Sequence, residues 1–160
     1  MSWESSLGAM VLGAGQCRFS VWAPAVRRVD VHIIAPQERV IPLDRTEGGY
    51  HLAVADHVEP GTRYTYRLDG AVERPDPVSR SQPQGVHGPS EVVDRAFVWD
   101  DRRWFGRALQ DYLIYELHVG TYTPEGTFEA LIPHLHDLKE LGITAIELMP
   151  IAQFPGSRNW

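Results

Sequence analysis

Two glutamates are the residues here whose type and placement could do acid–base chemistry. Glu116 lies in the apolar run Tyr112 to Val119, and Glu147 lies in Ile143 to Met149. Both runs read as strands buried on both faces. Period two puts Tyr115, Leu117 and Val119 on one side of the first and Ile114, Glu116 and His118 on the other. In the second, Thr144, Ile146 and Leu148 oppose Ala145, Glu147 and Met149. The more apolar sides should meet a helix, which leaves both glutamates on the far face of adjacent strands. A carboxylate pair flanking a bond is the machinery of glycoside hydrolysis. The competing reading makes them lining residues of a barrel interior, paired with charges on other strands. That reading is preferred, because barrel active sites lie at the C-terminal strand ends and both glutamates stop short of them. His118 and Met149 stand nearest those ends. His118 is a candidate sugar-contacting residue, weighed against a packing histidine.

The element that positions these residues runs from Asp111 to Trp160 as strand, loop, helix, strand, loop. Gly120 to Gly126 reads as loop, and Thr127 is a plausible helix N-cap. Phe128, Leu131, Ile132, Leu135, Leu138 and Leu141 fall at helical spacing. Pro133 should divide a short first turn from a main helix that it begins, and Gly142 suits the C′ position. Two buried strands joined by a helix should be parallel. Two strands and one helix do not close a barrel, so residues 111–160 are expected as an incomplete barrel with exposed apolar surface.

The rest of the chain reads as β. Cys17 to Trp22, Val29 to Ile34, Arg39 to Leu43, Tyr50 to Val54 and Tyr64 to Leu68 alternate or run short between turn signals, with Pro42 marking an edge strand. The expected fold is a β-sandwich over residues 16–94, preceded by a mobile leader at 1–15 and followed by a connector at 95–110. Residues 73–94 carry four prolines and little periodicity, as an ordered loop or a strap over the sandwich would. Trp22 is a possible sugar-stacking platform, with a packing role the favoured reading.

Composition excludes several classes. The net charge of −6 argues against nucleic acid. No apolar run reaches the roughly 20 residues of a membrane span, and the N-terminus lacks the pattern of a secretory signal. A cytoplasmic protein fits. The single cysteine, Cys17, reads as a buried structural thiol. His134 and His136 are two apart and cannot share a ligand face. No metal, cofactor or phosphate-binding glycine loop is expected, and the sequence leaves the oligomeric state open.

The stretches YELHVGTYTPEGTF and HLHDLKELGITAIELMPIAQFPGSRNW resemble the first strand, helix and second strand of the (β/α)8 barrel in the α-amylase superfamily. RFSVWAPAVRRVDVHI resembles the early-set immunoglobulin-like domain that precedes such barrels, a relative of glycogen-binding modules. The connector PDPVSRSQPQGVHGPSEVVD is similar to that of the superfamily branch that releases trehalose from maltooligosyltrehalose. The resemblance implies a retaining glycosidase acting on a maltooligosaccharide-type substrate. It would cut the α-1,4 bond beside the terminal trehalose, in trehalose biosynthesis. It places the aspartate nucleophile and glutamate acid/base on later strands, beyond Trp160. No catalytic residue is therefore assigned to this chain, which alone is expected to be inactive. Asn159 and Trp160 precede the family's Gly-Tyr-Asp segment, which implies a place on the cleft rim. The alternatives are an α-glucan-binding module, or part of a glycogen branching or debranching enzyme.

Overall fold

The computed structural model describes residues 7–152, 154 and 156. It is mostly β-sheet with few helices, and it divides into two units, one holding the described residues up to Phe97 together with Phe154 and Gly156, the other beginning at Val98.

The first unit is a sandwich of two antiparallel sheets. One sheet has the order β1 (Gly8–Gly13), β2 (Gln16–Trp22), β6 (Tyr50–Ala55), β5 (Asp44–Arg45). The other runs β4 (Arg39–Pro42), β3 (Val29–Ala35), β7 (Arg63–Leu68), with β8 (Val72–Arg74) and β9 (Ser90–Glu91) both paired to β7. β4, with Pro42, is an edge strand as expected. The stretch expected as a leader is corrected in part: Gly8–Gly13 pairs with β2, from Gly8 opposite Ser20 to Gly13 opposite Gln16. Its glycines hid the alternation that Ala9 and Val11 carry. A side chain at Gly8 would come within 2.9 Å of the Arg80 guanidinium, so the glycine admits that contact.

Alternation builds the core. Cys17, Phe19 and Val21 from β2 meet Val29, Val31 and Ile33 from β3 and Tyr64 and Tyr66 from β7. Phe19 and Tyr64 sit edge to face at 4.9 Å, and Tyr64 and Tyr66 at 5.8 Å. Burial pushes the Cys17 thiol up to about 11, against a smaller opposing hydrogen bond with Met10, so it is an inert core group.

β6 reverses the simple pattern. Its period-two apolar set, Tyr50, Leu52 and Val54, lies in register with Trp22, Ser20 and Arg18, and Tyr50 and Val54 are exposed. Its alternate residues turn inward instead. His51 is fully buried, and neither ring nitrogen has a hydrogen-bond partner among the described residues. A buried polar group without a partner costs about 1–3 kcal/mol. His51→Phe is therefore expected to raise stability by about 1 kcal/mol in urea unfolding; a loss of stability would show that the imidazole is satisfied.

The proline-rich segment is a strap. It leaves β8, turns at Asp76–Ser79 and Gln82–Gly85–Gly88, and returns as β9 on β7. Asp76 anchors it in the core. Its carboxylate accepts from Tyr64 Oη (2.6 Å), Tyr66 Oη (3.4 Å) and Val78 N (2.9 Å), while its own N–H donates to the buried Ser90 Oγ (2.9 Å).

In the second unit, residues 98–108 carry no strand or helix, and Val98 and Phe105 are exposed. β10 (Ile114–Leu117) and β11 (Ala145–Leu148) pair in parallel. Between them run α1 (Val119–Tyr122), α2 (Phe128–Leu131), a 3-10 turn (Ile132–His134) and α3 (Leu135–Glu140). Thr127 caps α2, its hydroxyl accepting from Ala130 N at 3.2 Å. Pro133 sits in the 3-10 turn, so the main helix starts two residues after it. Gly142, at φ 98°, ends α3, and the Ile143 N–H reaches back to the Leu138 carbonyl.

Candidate functional site

The end of β10 turns into a helix rather than continuing as strand. The His118 carbonyl accepts the N–H groups of Thr121 (3.1 Å) and Tyr122 (3.0 Å), which starts α1 where a loop was expected. Gly120 makes room for the imidazole, since a Cβ there would lie 3.0 Å from His118 Cε1. The Thr121 hydroxyl is 3.4 Å from His118 Nδ1. The ring is thus half-buried and pinned at the C-terminal end of a strand. Gly126 closes the loop, donating to the Thr123 carbonyl and hydroxyl at 3.2 Å each and lying against Gly120.

Leu117 and Val119 pack with Leu131 and Leu138, and Ile143 and Ile146 join them. The apolar strand side therefore meets the helices. Glu116 pairs in register with Glu147, both exposed and without an ion-pair partner among the described residues. Two carboxylates opposite one another repel. Met149 follows β11, its N–H donating to the Leu117 carbonyl at 2.9 Å. Asn159 and Trp160 lie outside the described residues. Among the described residues no cluster of metal-ligating side chains occurs, and no helix is long and apolar enough to cross a membrane.

Trp22, favoured as a packing residue, is 55% exposed on the outer face of the first sheet. Its indole N–H donates to the Gly48 carbonyl at 3.0 Å. The outer face of the second sheet is ionic. His32 stands 3.0 Å from both Glu38 and Glu73, Arg67 Nε donates to Glu73 at 2.6 Å, and Thr65 also donates to Glu73. Burial opposes ionisation of Glu73, but these hydrogen bonds outweigh it and hold the carboxyl below its ordinary value.

Residues 6–80 match the family model for carbohydrate-binding module 48, the isoamylase N-terminal domain. Malto-oligosyltrehalose trehalohydrolase of Saccharolobus solfataricus is 49% identical over 142 residues, covering 89% of this chain and 25% of that protein. The enzyme of the same name from Deinococcus radiodurans is 46% identical over 159 residues, covering 98% and 26%. The chain is homologous to part of the malto-oligosyltrehalose trehalohydrolases. It spans about a quarter of the length of the curated relatives it matches. A 1,4-alpha-glucan branching enzyme of Xanthomonas campestris is 32% identical, with 98% of this chain and 24% of that protein covered. A solved Salmonella typhimurium structure, assigned in name to the alpha amylases, superposes with a TM-score of 0.85 at 40% identity, covering 97% and 26%.

Proposed function

We propose that this chain is the N-terminal part of a glycoside hydrolase that cleaves the α-1,4 bond next to the terminal trehalose of maltooligosyltrehalose. The product is trehalose and the setting is the cytoplasm. The sandwich starts at β1 and ends near residue 94, residues 95–110 connect, and residues 111–160 open a (β/α)8 barrel. His118, at the C-terminal end of its first strand, contacts substrate, and Asn159 and Trp160 rim the same cleft. The nucleophile and acid/base lie on strands this chain does not contain.

The observation that carries this reading is the extent of the similarity. It reaches 40% or more with several trehalohydrolases and runs through both units, where the branching enzyme stands at 32%. A half-buried histidine pinned beyond a strand end supports the assignment of His118, since barrel chemistry sits at that end. The test is trehalose release from maltooligosyltrehalose. The 160-residue chain alone should release none. Joined to the remaining barrel of a trehalohydrolase it should turn over, and His118→Ala should lower kcat/KM about tenfold with Tm unchanged. Turnover by the chain alone would overturn the assignment of catalysis to later strands. An unchanged kcat/KM would remove His118 from the cleft.

A second reading is favoured by the carbohydrate-binding-module match. In it the sandwich holds an α-glucan chain, independently of catalysis.

A further inference from the structure

We propose that the outer face of the first sheet carries an α-glucan-binding site built on Trp22 and Tyr50. The proposal rests on the carbohydrate-module reading and locates its ligand.

The two aromatics are register partners across β2 and β6, so their side chains leave the sheet on the same face. They are 55% and 41% exposed. Among the described residues before Phe97 they are the exposed aromatics, while the core takes Phe19, Tyr64 and Tyr66. The apolar face of a hexose is buried well against such rings, whose edges leave sugar hydroxyls in water.

One turn holds the Trp22 indole and lies beside the Tyr50 ring. Gly48 accepts the Trp22 indole N–H at 3.0 Å, and a Cβ on Gly48 would lie 3.4 Å from Tyr50 Cε2. Gly48 thus bonds Trp22 and leaves open the space beside the Tyr50 ring. The turn is locked in its place by Ala23 N to the Gly49 carbonyl (2.9 Å), Thr46 N to the Tyr50 carbonyl (2.8 Å) and Arg45 Nη2 to the Pro24 carbonyl (3.0 Å). Rings ordered before binding lose little entropy when a ligand arrives. Asp44, on the neighbouring strand opposite Leu52, and Glu47, in the turn, are exposed and offer acceptors for sugar hydroxyls.

The second sheet offers no equivalent. Its outer face spends His32, Glu38, Arg67 and Glu73 on one another, and no exposed aromatic stands among them. A neutral glucan would have to displace those pairs and would find no ring to stack on.

The experiment is a titration of the 160-residue chain with maltoheptaose, followed by NMR. The Trp22 indole resonance, assigned by its loss in Trp22→Phe, should shift saturably, with the backbone changes centred on β2, β5 and β6. Tyr50→Ala, which removes a ring that donates no bond to the turn, should weaken binding about tenfold or more. His32→Ala on the opposite face should leave it unchanged. Binding with its shifts centred on the second sheet, or binding indifferent to Tyr50→Ala, would overturn this location while leaving the module reading intact. No binding by the wild-type chain would overturn both.

Discussion

Asp76→Ala should destabilise the sandwich by about 3–5 kcal/mol, the largest single-residue loss outside the apolar core. The carboxylate is buried and collects three donors from two elements: the Tyr64 and Tyr66 hydroxyls and the Val78 N–H. Alanine leaves all three facing a void. It also frees the strap, because the turn that starts at Asp76 is held down by the same side chain. Asp76→Asn keeps an acceptor and should cost about half as much. The two variants differ in pH dependence from the wild type. Burial raises the Asp76 carboxyl above its ordinary value, against the hydrogen bonds from Tyr64, Val78 and Tyr66. The folded state therefore binds the proton more tightly than the unfolded chain. That contribution is complete below the unfolded carboxyl value and is lost as pH rises through the folded one. Glu73 acts with the opposite sign, since its carboxyl is held low and its contribution is lost as pH falls. Urea unfolding of wild type and Asp76→Asn across the acidic range should show a difference that narrows toward neutral pH. A loss below about 1 kcal/mol for Asp76→Ala would mean that the strap is not anchored there.

Gly49→Ala should cost about 2–4 kcal/mol, combining a left-handed backbone with a steric overlap. Gly49 has φ 83°, and a Cβ there would lie 2.5 Å from both Cα and Cβ of Pro24. Neither partner is the far end of a flexible chain, so the turn itself must move. The same turn carries the Gly48 carbonyl that holds Trp22. The substitution should therefore alter the near-ultraviolet circular dichroism of Trp22 as well as the unfolding midpoint. Gly13→Ala provides the contrast, with φ 92° but open space around the added methyl. It should show the backbone cost alone, about 1–2 kcal/mol. Equal losses in the two variants would show that the contact with Pro24 relaxes freely.

The sequence by itself determined most of the sandwich. Period-two apolar runs bounded by turns located β2, β3, β6 and β7, because a strand half-buried in a sandwich needs one apolar face, and a shorter run carrying Pro42 located the edge strand β4. The helix signals at Thr127 and Gly142 were legible for a similar reason: each satisfies a backbone requirement set within a few residues. β1 was not legible, since its glycines carry no side-chain pattern, and it is placed by its ladder with β2 together with a hydrogen bond from Arg80, far along the chain. The direction of β6 was not legible either. Tyr50, Leu52 and Val54 have the pattern of a core face, yet pairing with β2 places them outward and His51 inward. Pairing register is a long-range property, and a shift of one residue exchanges the two faces. Tertiary structure alone decided that Glu116 and Glu147 stand opposite one another, where period two had shown only their shared side. It alone set the His118 ring against Gly120, because a hydrogen bond from Tyr122 ended the strand where alternation had continued it. It also decided that Trp22 and Tyr50 lie side by side in the open, through the pairing of two strands 27 residues apart in that register.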